Sequence, residues 1–418
     1  MATTSTAARP ANEILRPELL SVPITTIAPG AAPALTILVA VPTVEAGAAD
    51  EGAVEAARML VANGHRAIVV SSGGRLEQNL VGAETVRLDM ASRNPLVIAR
   101  NAFALKHLVL QHQCTAMHAF ARAPAWSALL AARMTGVPFV TTWYNGFREQ
   151  NVFKHIYNSV MARGERVIAV SDQIADAITA THGVAAERIV VVPSHVDAAC
   201  FDPSRMTPER ADAVRASWDI GADTRAIVVI GRILRRKGHH VIVRAARRLK
   251  DMGLRNFCFV LVGEDHGRSS YSGELWDLVL ATETSDVIRI AGPPEDLPAA
   301  YSASIAVVSA AIQLEGSQRR LLEAMAMARP VITSDLAAGP EIVLAPPAVA
   351  EDRMTGLRFP SGDDGELAAA LIKLLSAPES TRLAVGRRGR ERAITQFADT
   401  AASTQLLEVY AEIARART

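Results

Sequence analysis

Short apolar runs alternate with longer amphipathic segments from Thr36 to the end of the chain. Several runs are apolar on both faces, such as Arg66–Ser72 (RAIVVSS), and this pattern is typical of a buried parallel strand. In the segments between the runs, apolar residues recur at steps of three and four, which indicates helices. The alternation predicts the α/β class, with parallel sheets covered by helices on both faces.

The alternation stops near Ser194–Pro203 and restarts after the predicted helix Pro208–Trp218. We therefore predict a mobile tail at residues 1–34, a Rossmann-like domain at 35–205 and a second one at 206–396. Residues 397–418 form a last helix with no strand after it, so we expect this helix to pack back on the first domain. Open parallel sheets bind ligands at the carboxyl ends of their strands, so the cleft between the two domains is the expected site.

Composition narrows the classes of partner. The 418 residues include 44 basic and 43 acidic side chains, and a net charge of +1 provides no general reason to expect nucleic acid. The three cysteines, Cys114, Cys200 and Cys258, lie far apart, so we expect neither a disulfide framework nor a zinc site. The N-terminal residues lack the pattern of a signal peptide, and no run of about 20 apolar residues occurs. We expect a cytoplasmic protein.

The segment Gly231–Gly238 (GRILRRKG) follows an apolar strand directly and leads into a helix. Arg232 and Lys237 would then lie at a strand end beside a helix N-terminus, which suits a diphosphate. The arginine can bridge two phosphate oxygens, and the lysine supplies a mobile charge. A solvated basic turn is the alternative, because Arg235 and Arg236 are basic too.

Two carboxylates, Glu315 and Glu323, stand eight residues apart after the predicted strand Ile305–Ala310. The sequence predicts Glu315 in a loop and Glu323 in the first turn of a helix. Ligand hydroxyls could bond to both carboxylates and to backbone N–H groups of Ser317 and Gln318. A helix-start glutamate that only complements the helix dipole is the alternative.

Taken together, Gly-Arg-x4-Lys-Gly and Glu-x7-Glu resemble glycosyltransferase family 4, whose members are retaining enzymes with the two-domain GT-B fold. The resemblance extends from about Thr36 to the C-terminal end. Further stretches match in kind and in order: His118–Trp126 (HAFARAPAW), Tyr157–Ser171 (YNSVMARGERVIAVS), Leu261–Asp265 (LVGED) and Met325–Ser334 (MAMARPVITS).

The resemblance implies a nucleoside diphosphate sugar as co-substrate, with no further cofactor and no metal, and a hydroxyl acceptor that is a glycan or glycolipid of surface polysaccharide or lipopolysaccharide synthesis. It implies that Arg232 and Lys237 hold the donor diphosphate, that Glu323 binds the ribose and that Glu315 contacts the sugar. The further expected donor-side residues are Gly47, Gly231, Gly263, Gly316, Ser317, Gln318, Tyr144 and Asn145.

The sequence departs from the family at four places. Ala48 follows Gly47 where the family has a second glycine, and Tyr144-Asn145 stands where the family has His-Gly. Ser317-Gln318 replaces Phe-Gly, and Ser194-His195 replaces Arg-Gly. These changes leave open an altered donor, an active transferase, or a weak or inactive sugar-nucleotide-binding relative.

On the acceptor side we expect His118 and Arg122, with a buried core histidine as the alternative for His118. The basic amphipathic segment Pro95–Gln111 allows peripheral contact with the inner face of the cell membrane, or a plain solvated helix face. An epimerase or hydrolase on the same scaffold is a further alternative. A dehydrogenase is disfavoured, because no G-x-G-x-x-G follows the first strand.

Overall fold

The computed structural model describes residues 34–45, 47–146, 151–264, 270–336 and 338–415. Two parallel sheets form the molecule, with seven strands in the order β3-β2-β1-β4-β5-β6-β7 and six in the order β10-β9-β8-β11-β12-β13. The first sheet contains β1 Thr36–Ala40, β2 Arg66–Ser71, β3 Glu84–Arg87, β4 Ala116–Ala119, β5 Phe139–Trp143, β6 Arg166–Ala169 and β7 Ile189–Val191. The second contains β8 Arg225–Ile230, β9 Phe257–Val262, β10 Ile288–Ala291, β11 Ala306–Ser309, β12 Val331–Ser334 and β13 Leu357–Phe359.

Helices cover both sheets. Those that follow strands of the first sheet are α1 Ala48–Ala62, α2 Pro95–His112, α3 Arg122–Thr135, α4 Val152–Asn158 and α5 Asp172–His182. The later helices are α6 Pro208–Ser217, α7 His239–Asp251, α8 Tyr271–Ala281, α9 Leu297–Ser302, α10 Arg319–Ala326, α11 Gly339–Ile342, α12 Asp364–Ser376, α13 Glu379–Gln396 and α14 Asp399–Arg415. None of the helices in these ranges is long and apolar enough to span a bilayer.

Burial explains why the apolar runs became strands. Every residue of β1 and of β9 is buried, as expected for central strands covered on both faces. The fold class predicted from the sequence, two Rossmann-like domains with parallel sheets, is therefore confirmed. The edge strand β13 did not stand out in the sequence, because only three residues form it and the middle one is Arg358.

The last helix, α14, lies on the first domain although it follows the second domain in sequence. It packs against α1 and β4, and the apolar residues Val409, Tyr410 and Ile413 join the core beneath the first sheet. The Tyr410 hydroxyl lies 2.7 Å from Nδ1 of His118. The helix thus completes a core whose other parts were made by the first 200 residues.

The two domains also meet directly beside their cleft. The amide of Gly316 donates to the Tyr144 carbonyl at 2.9 Å, and Asn145 and Glu315 form an isolated β-bridge. The Glu341 carboxylate of the second domain accepts hydrogen bonds from the Asp172 and Gln173 amides at 3.1 and 2.9 Å. Glu341 therefore caps the N-terminus of α5 across the domain boundary.

Candidate active site

A cavity of about 400 Å³ lies between the domains, within the size range of ligand pockets. One wall consists of the carboxyl ends of β8, β9 and β11 and the start of α10. The opposite wall consists of Gly47, the start of α1 and the turn Arg75–Asn79 of the first domain. This position, outside the carboxyl ends of parallel strands, is the one that the fold favours for a ligand.

Arg232 and Lys237 both line this cavity, and two glycines allow their loop to approach neighbouring backbone. A Cβ on Gly238 would lie 1.8 Å from the Ala310 carbonyl oxygen, and one on Gly263 would lie 2.0 Å from that of Gly231. Both glycines also have positive φ angles, 73° and 156°. Only glycine is compatible with this combination of conformation and close approach.

Gly47 brings the first domain to the same loop. Its φ is 130°, and an added Cβ would lie 3.8 Å from Nη2 of Arg232. The carboxylate of Asp50 orders this β1–α1 loop by accepting from the Thr43 hydroxyl at 2.8 Å and the Glu45 amide at 3.2 Å. Gly47 and Arg232 thus lie close together where both line the cavity, and their role in donor binding stays a prediction.

Glu315 is buried between two cations. Its Oε2 lies 2.7 Å from Nζ of Lys237, and its Oε1 contacts the guanidinium of Arg236. Burial, and then the neighbouring Arg236 charge, lower the pKa of Lys237 to about 7, whereas the carboxylate contact favours the charged ammonium. The alternative of a solvated basic turn does not hold for Arg236, because its side chain belongs to this charged cluster.

Glu323 is buried at 2 % exposure and has partners on two sides. Nη1 of Arg320 lies 2.7 Å from Oε1 and 2.9 Å from Oε2, and the buried Tyr301 hydroxyl donates to Oε2 at 2.6 Å. Because α10 begins at Arg319, Glu323 lies in the second turn and not in the predicted first turn. Glu323 and its partner Arg320 both line the cavity.

Arg319 and Arg320 also reach the first domain, which the sequence analysis did not anticipate. Nη2 of Arg320 lies 3.0 Å from Oε1 of Glu51, and Nη1 of Arg319 lies 3.4 Å from its Oε2. Arg319 also pairs with Glu55, which in turn lies 3.3 Å from Nε2 of His195. Burial raises the pKa of Glu51, but the two arginine charges outweigh it and leave that pKa lowered.

Adjacent arginines at the start of a mostly apolar helix were a visible signal for such pairing. The positions of Glu51 and Glu55, four residues apart on α1, were another. Their meeting could not be inferred from either segment alone.

Gln318 supplies an amide group to the cavity. The side chain is 4 % exposed and its Oε1 accepts from the Ser309 hydroxyl at 3.1 Å. Nε2 is buried and has no hydrogen-bond partner among the residues that the structure describes. An unpaired buried donor is costly without a ligand, and Gln318 lines the cavity, so its Nε2 is suited to bind an oxygen of the donor.

Ser317 lines the same cavity, and its hydroxyl accepts from Ser194 at 3.1 Å. The side chain of Gly316 would instead point at Val170 and Ile174, with an added Cβ 2.6 and 2.5 Å from them. Gly316 therefore serves the contact between domains and does not line the cavity, contrary to the donor-side prediction.

Tyr144 also differs from the prediction. Its side chain turns beneath α1, where a Cβ on Gly52 would lie 1.7 Å from the tyrosine oxygen. It lines a smaller cavity between α1, α14 and the ends of the central strands, whereas its neighbour Asn145 lines the large one. Burial raises the pKa of Tyr144, so its hydroxyl is neutral.

His118 is a core residue, and the expected acceptor-side position is wrong. It is fully buried and its two ring nitrogens lie 2.7 Å from the hydroxyls of Tyr410 and Thr142. Burial lowers its pKa to about 3. Arg122 donates to Oδ1 of Asn158 at 2.8 Å and lines neither of the two cavities, so its acceptor-side role stays a prediction.

His239 is the first residue of α7, is 1 % exposed and lines the large cavity beside Lys237. Its Nδ1 has no hydrogen-bond partner within the described ranges. Burial lowers its pKa to about 4, so the ring is neutral at pH 7. In those same ranges no group of three or more His, Cys, Asp or Glu side chains is arranged to hold a metal.

The fold and the cleft define a class, the GT-B glycosyltransferases. A crystal structure of a glycosyltransferase from Rickettsia africae superposes with a TM-score of 0.79 at 26 % identity, covering 91 % of this chain and 99 % of that one. HepE of Anabaena, solved in complex with UDP-glucose, has a TM-score of 0.77 at 17 % identity and covers 90 % of this chain and 100 % of its own. At that identity the second likeness concerns the fold alone.

The family follows from the sequence comparisons. The model described as Glycosyltransferase Family 4 matches residues 51–199, and the one described as Glycosyl transferases group 1 matches residues 224–377. The chain belongs to the family 4 type of glycosyltransferases. A D-inositol 3-phosphate glycosyltransferase of Kineococcus radiotolerans is 33 % identical over 258 residues, which are 60 % of this chain and 58 % of that protein. The chain thus matches less than two thirds of this relative's length.

Proposed function

We propose that the protein transfers a sugar from a nucleoside diphosphate sugar to a hydroxyl acceptor, with retention of configuration. The observation that supports this most directly is the convergence of Arg232, Lys237, Glu315 and Glu323 on one cavity between the domains. Four side chains from separated motifs meet there at the place where this fold binds ligands. The bound UDP-glucose of the similarly folded HepE suggests a uridine nucleotide as the first donor to test.

The chemistry follows from the charges. As the bond between the sugar C1 and the diphosphate oxygen breaks, its electron pair moves onto that oxygen. Cations fixed beside it, Arg232 and Lys237, stabilise this developing charge more than they stabilise the bound donor. The acceptor oxygen bonds to C1, and its proton passes to the departing phosphate. The proposal includes no metal, because the two cations supply the charge that a metal would supply.

The remaining groups would orient the donor. The Gln318 amide is placed to donate to a phosphate oxygen, and the Glu315 carboxylate to accept from sugar hydroxyls once a diphosphate draws Lys237 away. Glu323 would accept from the ribose. These contacts distinguish the donor from free phosphate, since each requires a different part of the molecule.

A glycolipid or polysaccharide precursor at the inner face of the cell membrane is the acceptor that one surface of the first domain favours. Helix α2 carries no acidic residue, and Leu96, Phe103 and Leu110 are exposed at seven-residue spacing, with Phe103 at 64 %. Arg100 and His107 lie between them on the same face. An exposed apolar stripe with basic neighbours fits an anionic lipid surface.

Helix α4 extends this pattern, with Phe153 exposed at 83 %. Its neighbour α3 connects it to α2, since Trp126 of α3 donates to the Tyr157 carbonyl and Ser127 donates to the Ile98 carbonyl. The three helices are therefore neighbours on the first domain, and we name their exposed surface the α2–α4 face. It lies on the domain that would hold the acceptor.

Vesicle sedimentation tests the membrane part of the proposal. The wild-type chain should bind vesicles of phosphatidylglycerol and not of phosphatidylcholine, and the double variant Phe103→Glu with Phe153→Glu should lose that binding. Leu383→Glu is the matched control, because Leu383 is also exposed, at 52 %, but lies on α13 of the other domain. Equal binding by all three proteins would contradict a role for the α2–α4 face.

A small phosphorylated polyol is the second candidate acceptor. The first-domain wall of the cavity carries Arg58 and Arg75, together with Gln78 and Asn79, and such a set can hold an anion. The relative from Kineococcus carries inositol 3-phosphate in its name. An acceptor panel should therefore contain polyol phosphates as well as lipid-linked sugars.

A sugar-nucleotide-binding protein without turnover remains the alternative function, because Ala48, Tyr144 and Gln318 replace family residues. One experiment separates these possibilities: release of nucleoside diphosphate from UDP-, GDP- and ADP-sugars, with and without each acceptor. Acceptor-dependent release, with the anomeric configuration of the product determined by NMR, would support a retaining transferase. Binding without release would support the non-catalytic protein, and release without acceptor would indicate a hydrolase or epimerase.

The variant Lys237→Ala tests the assignment of the donor site. This variant should bind the donor more weakly and lose turnover. Unchanged donor affinity in both Lys237→Ala and Glu323→Ala would refute the proposed donor site.

A further inference from the structure

Glu323, the carboxylate expected to bind the donor ribose, is already paired with a side chain of the same protein. Nη1 of Arg320 lies 2.7 and 2.9 Å from its two oxygens, so the nitrogen sits near the bisector of the carboxylate. A vicinal diol that donates to both oxygens would occupy that same position. Tyr301, fully buried, donates to Oε2 at 2.6 Å and does not line the cavity, whereas Arg320 and Glu323 both do.

Arg320 also has a second partner in place. Its other terminal nitrogen, Nη2, lies 3.0 Å from Oε1 of Glu51 on α1. Although burial opposes the charge of Arg320, the carboxylates of Glu323 and Glu51 raise its pKa, so the guanidinium stays charged. The arginine is therefore shared between a donor-site acid of one domain and an acid of the other.

Arg319 provides the comparison within the same helix. It pairs with Glu51 and Glu55 across the cleft, but its nearest approach to Glu323 is 3.8 Å from Nε to Oε1. It therefore holds the domains together without covering the ribose acid. Comparing variants of the two arginines thus distinguishes the loss of a contact between the domains from the loss of the group that occupies Glu323.

We propose that Arg320 competes with the donor ribose for Glu323, and that Glu51 receives the displaced guanidinium when the donor binds. This inference depends on the donor site proposed above and adds a residue that sets donor affinity. Arg320 acts through Glu323 and is thus a positioning residue. Donor binding is coupled to the contact between the domains, because the same side chain takes part in both.

Opposite effects are expected from the two partners of the exchange. Arg320→Met should bind the nucleoside diphosphate more tightly, by about tenfold, since one charge-assisted contact to Glu323 no longer has to be broken. Glu51→Gln should bind it more weakly, because Arg320 then has no competing carboxylate to move to. A residue that only supports the fold would not give opposite signs.

Calorimetric titration of the full chain with UDP, GDP and ADP tests these opposite effects. Inorganic pyrophosphate is the probe without a ribose, and the 2′,3′-dideoxy nucleotide is the probe without the diol. The gain of Arg320→Met should appear with the ribonucleotide and vanish with both other probes. Arg319→Met is the matched control and should leave the preference for the diol unchanged. Because Glu51 lies on the other domain, Glu51→Gln tests the exchange even where Arg320→Met folds poorly.

Three results would overturn the proposal. Equal or weaker ribonucleotide binding by Arg320→Met would show that the arginine does not block Glu323. An equal gain with pyrophosphate would show a general change of charge in the cleft. Tighter binding by Glu51→Gln would exclude Glu51 as the receiving group. Failure of the wild type to bind UDP, GDP and ADP would refute the donor site itself. Normal binding by the wild type that Arg320→Met does not improve would refute only the competition between Arg320 and the ribose.

Discussion

Gln318 shows how one side chain can change a phosphate site without changing its charge. Its Oε1 accepts a hydrogen bond from Ser309, and the residue lines the cavity with its Nε2 unpaired among the described residues. Where a glycine offers only space, this amide offers a fixed donor in a buried position. The departure from the family at this position is therefore compatible with a working donor site.

Gln318→Met keeps the size of the side chain and removes the amide. We expect donor affinity to fall by about tenfold, because a hydrogen bond to a charged oxygen is lost. Titration with the nucleoside diphosphate measures the dissociation constant, and the midpoint of thermal unfolding shows whether the variant is folded. An unchanged Kd would mean that Nε2 does not contact the donor.

His118 makes a pH dependence of stability predictable. Its pKa is about 3 in the folded protein against 6.5 for an ordinary histidine, so below pH 6.5 the unfolded chain takes up a proton that the folded chain does not. The stability that this contributes is present above pH 6.5 and is lost as the pH falls towards 3, at about 1.4 kcal/mol per pH unit for one proton.

The variant His118→Gln should remove that part of the slope. Urea unfolding at pH 5.0, 5.5 and 6.0 measures it for both proteins. His239 has a lowered pKa too and remains in both, so the difference between the slopes isolates His118. Equal slopes would contradict the assignment.

Among the elements, α14 is the one that joins the late part of the chain to the core of the first domain. Tyr410 is fully buried in the core under the first sheet and bonds to His118. Tyr410→Ala should lower the free energy of unfolding by about 3 kcal/mol or more, as for other buried aromatic residues. Glu408→Ala, at an exposed position of the same helix, should change it by less than about 0.5 kcal/mol.

Urea unfolding followed by circular dichroism compares the two variants. A loss in Tyr410→Ala no larger than in Glu408→Ala would mean that α14 contributes little to the first domain. The prediction thus concerns the helix as a whole and not only one hydroxyl.

The order of strands and helices was predictable because burial on both faces leaves an unbroken apolar run, as in Arg66–Ser71. The charged motifs after β8 and β11 were visible as well, because glycine and charge directly follow the apolar runs, but the sequence alone did not distinguish them from a solvated basic turn and a helix-start glutamate. The direction of a side chain was harder: Tyr144 and Asn145 are neighbours, yet they line different cavities. Contacts between domains, such as Arg320 with Glu51, depend on how two independent sheets face each other, which no local pattern records.

At the scale of the whole molecule, the domains are joined by an unequal set of contacts. Backbone contacts join Tyr144 and Asn145 to Gly316 and Glu315 beside the cleft, and ion pairs join Arg319 and Arg320 to the first domain. Glu341 adds a carboxylate at the start of α5. These contacts differ in chemistry, so they can be tested one at a time.

Glu341→Ala should speed hydrogen exchange at the amides of Asp172 and Gln173, because both lose the acceptor across the domain boundary. The amide of Ile174 is the internal control, since the Ser171 hydroxyl of its own domain accepts it. Mass spectrometry or NMR of the exchanging amides provides the measurement. Equal protection of all three amides in variant and wild type would show that the domains separate freely at this point.

The position of α14 determines when during synthesis the first domain can complete its fold. A ribosome adds this helix after both sheets, yet the core beneath the first sheet needs Val409, Tyr410 and Ile413. During synthesis the first domain therefore waits, with part of its apolar surface uncovered, while some two hundred further residues are translated. Chaperone demand and sensitivity to late truncation should follow from that delay, and both should fall on the half of the protein that was made first.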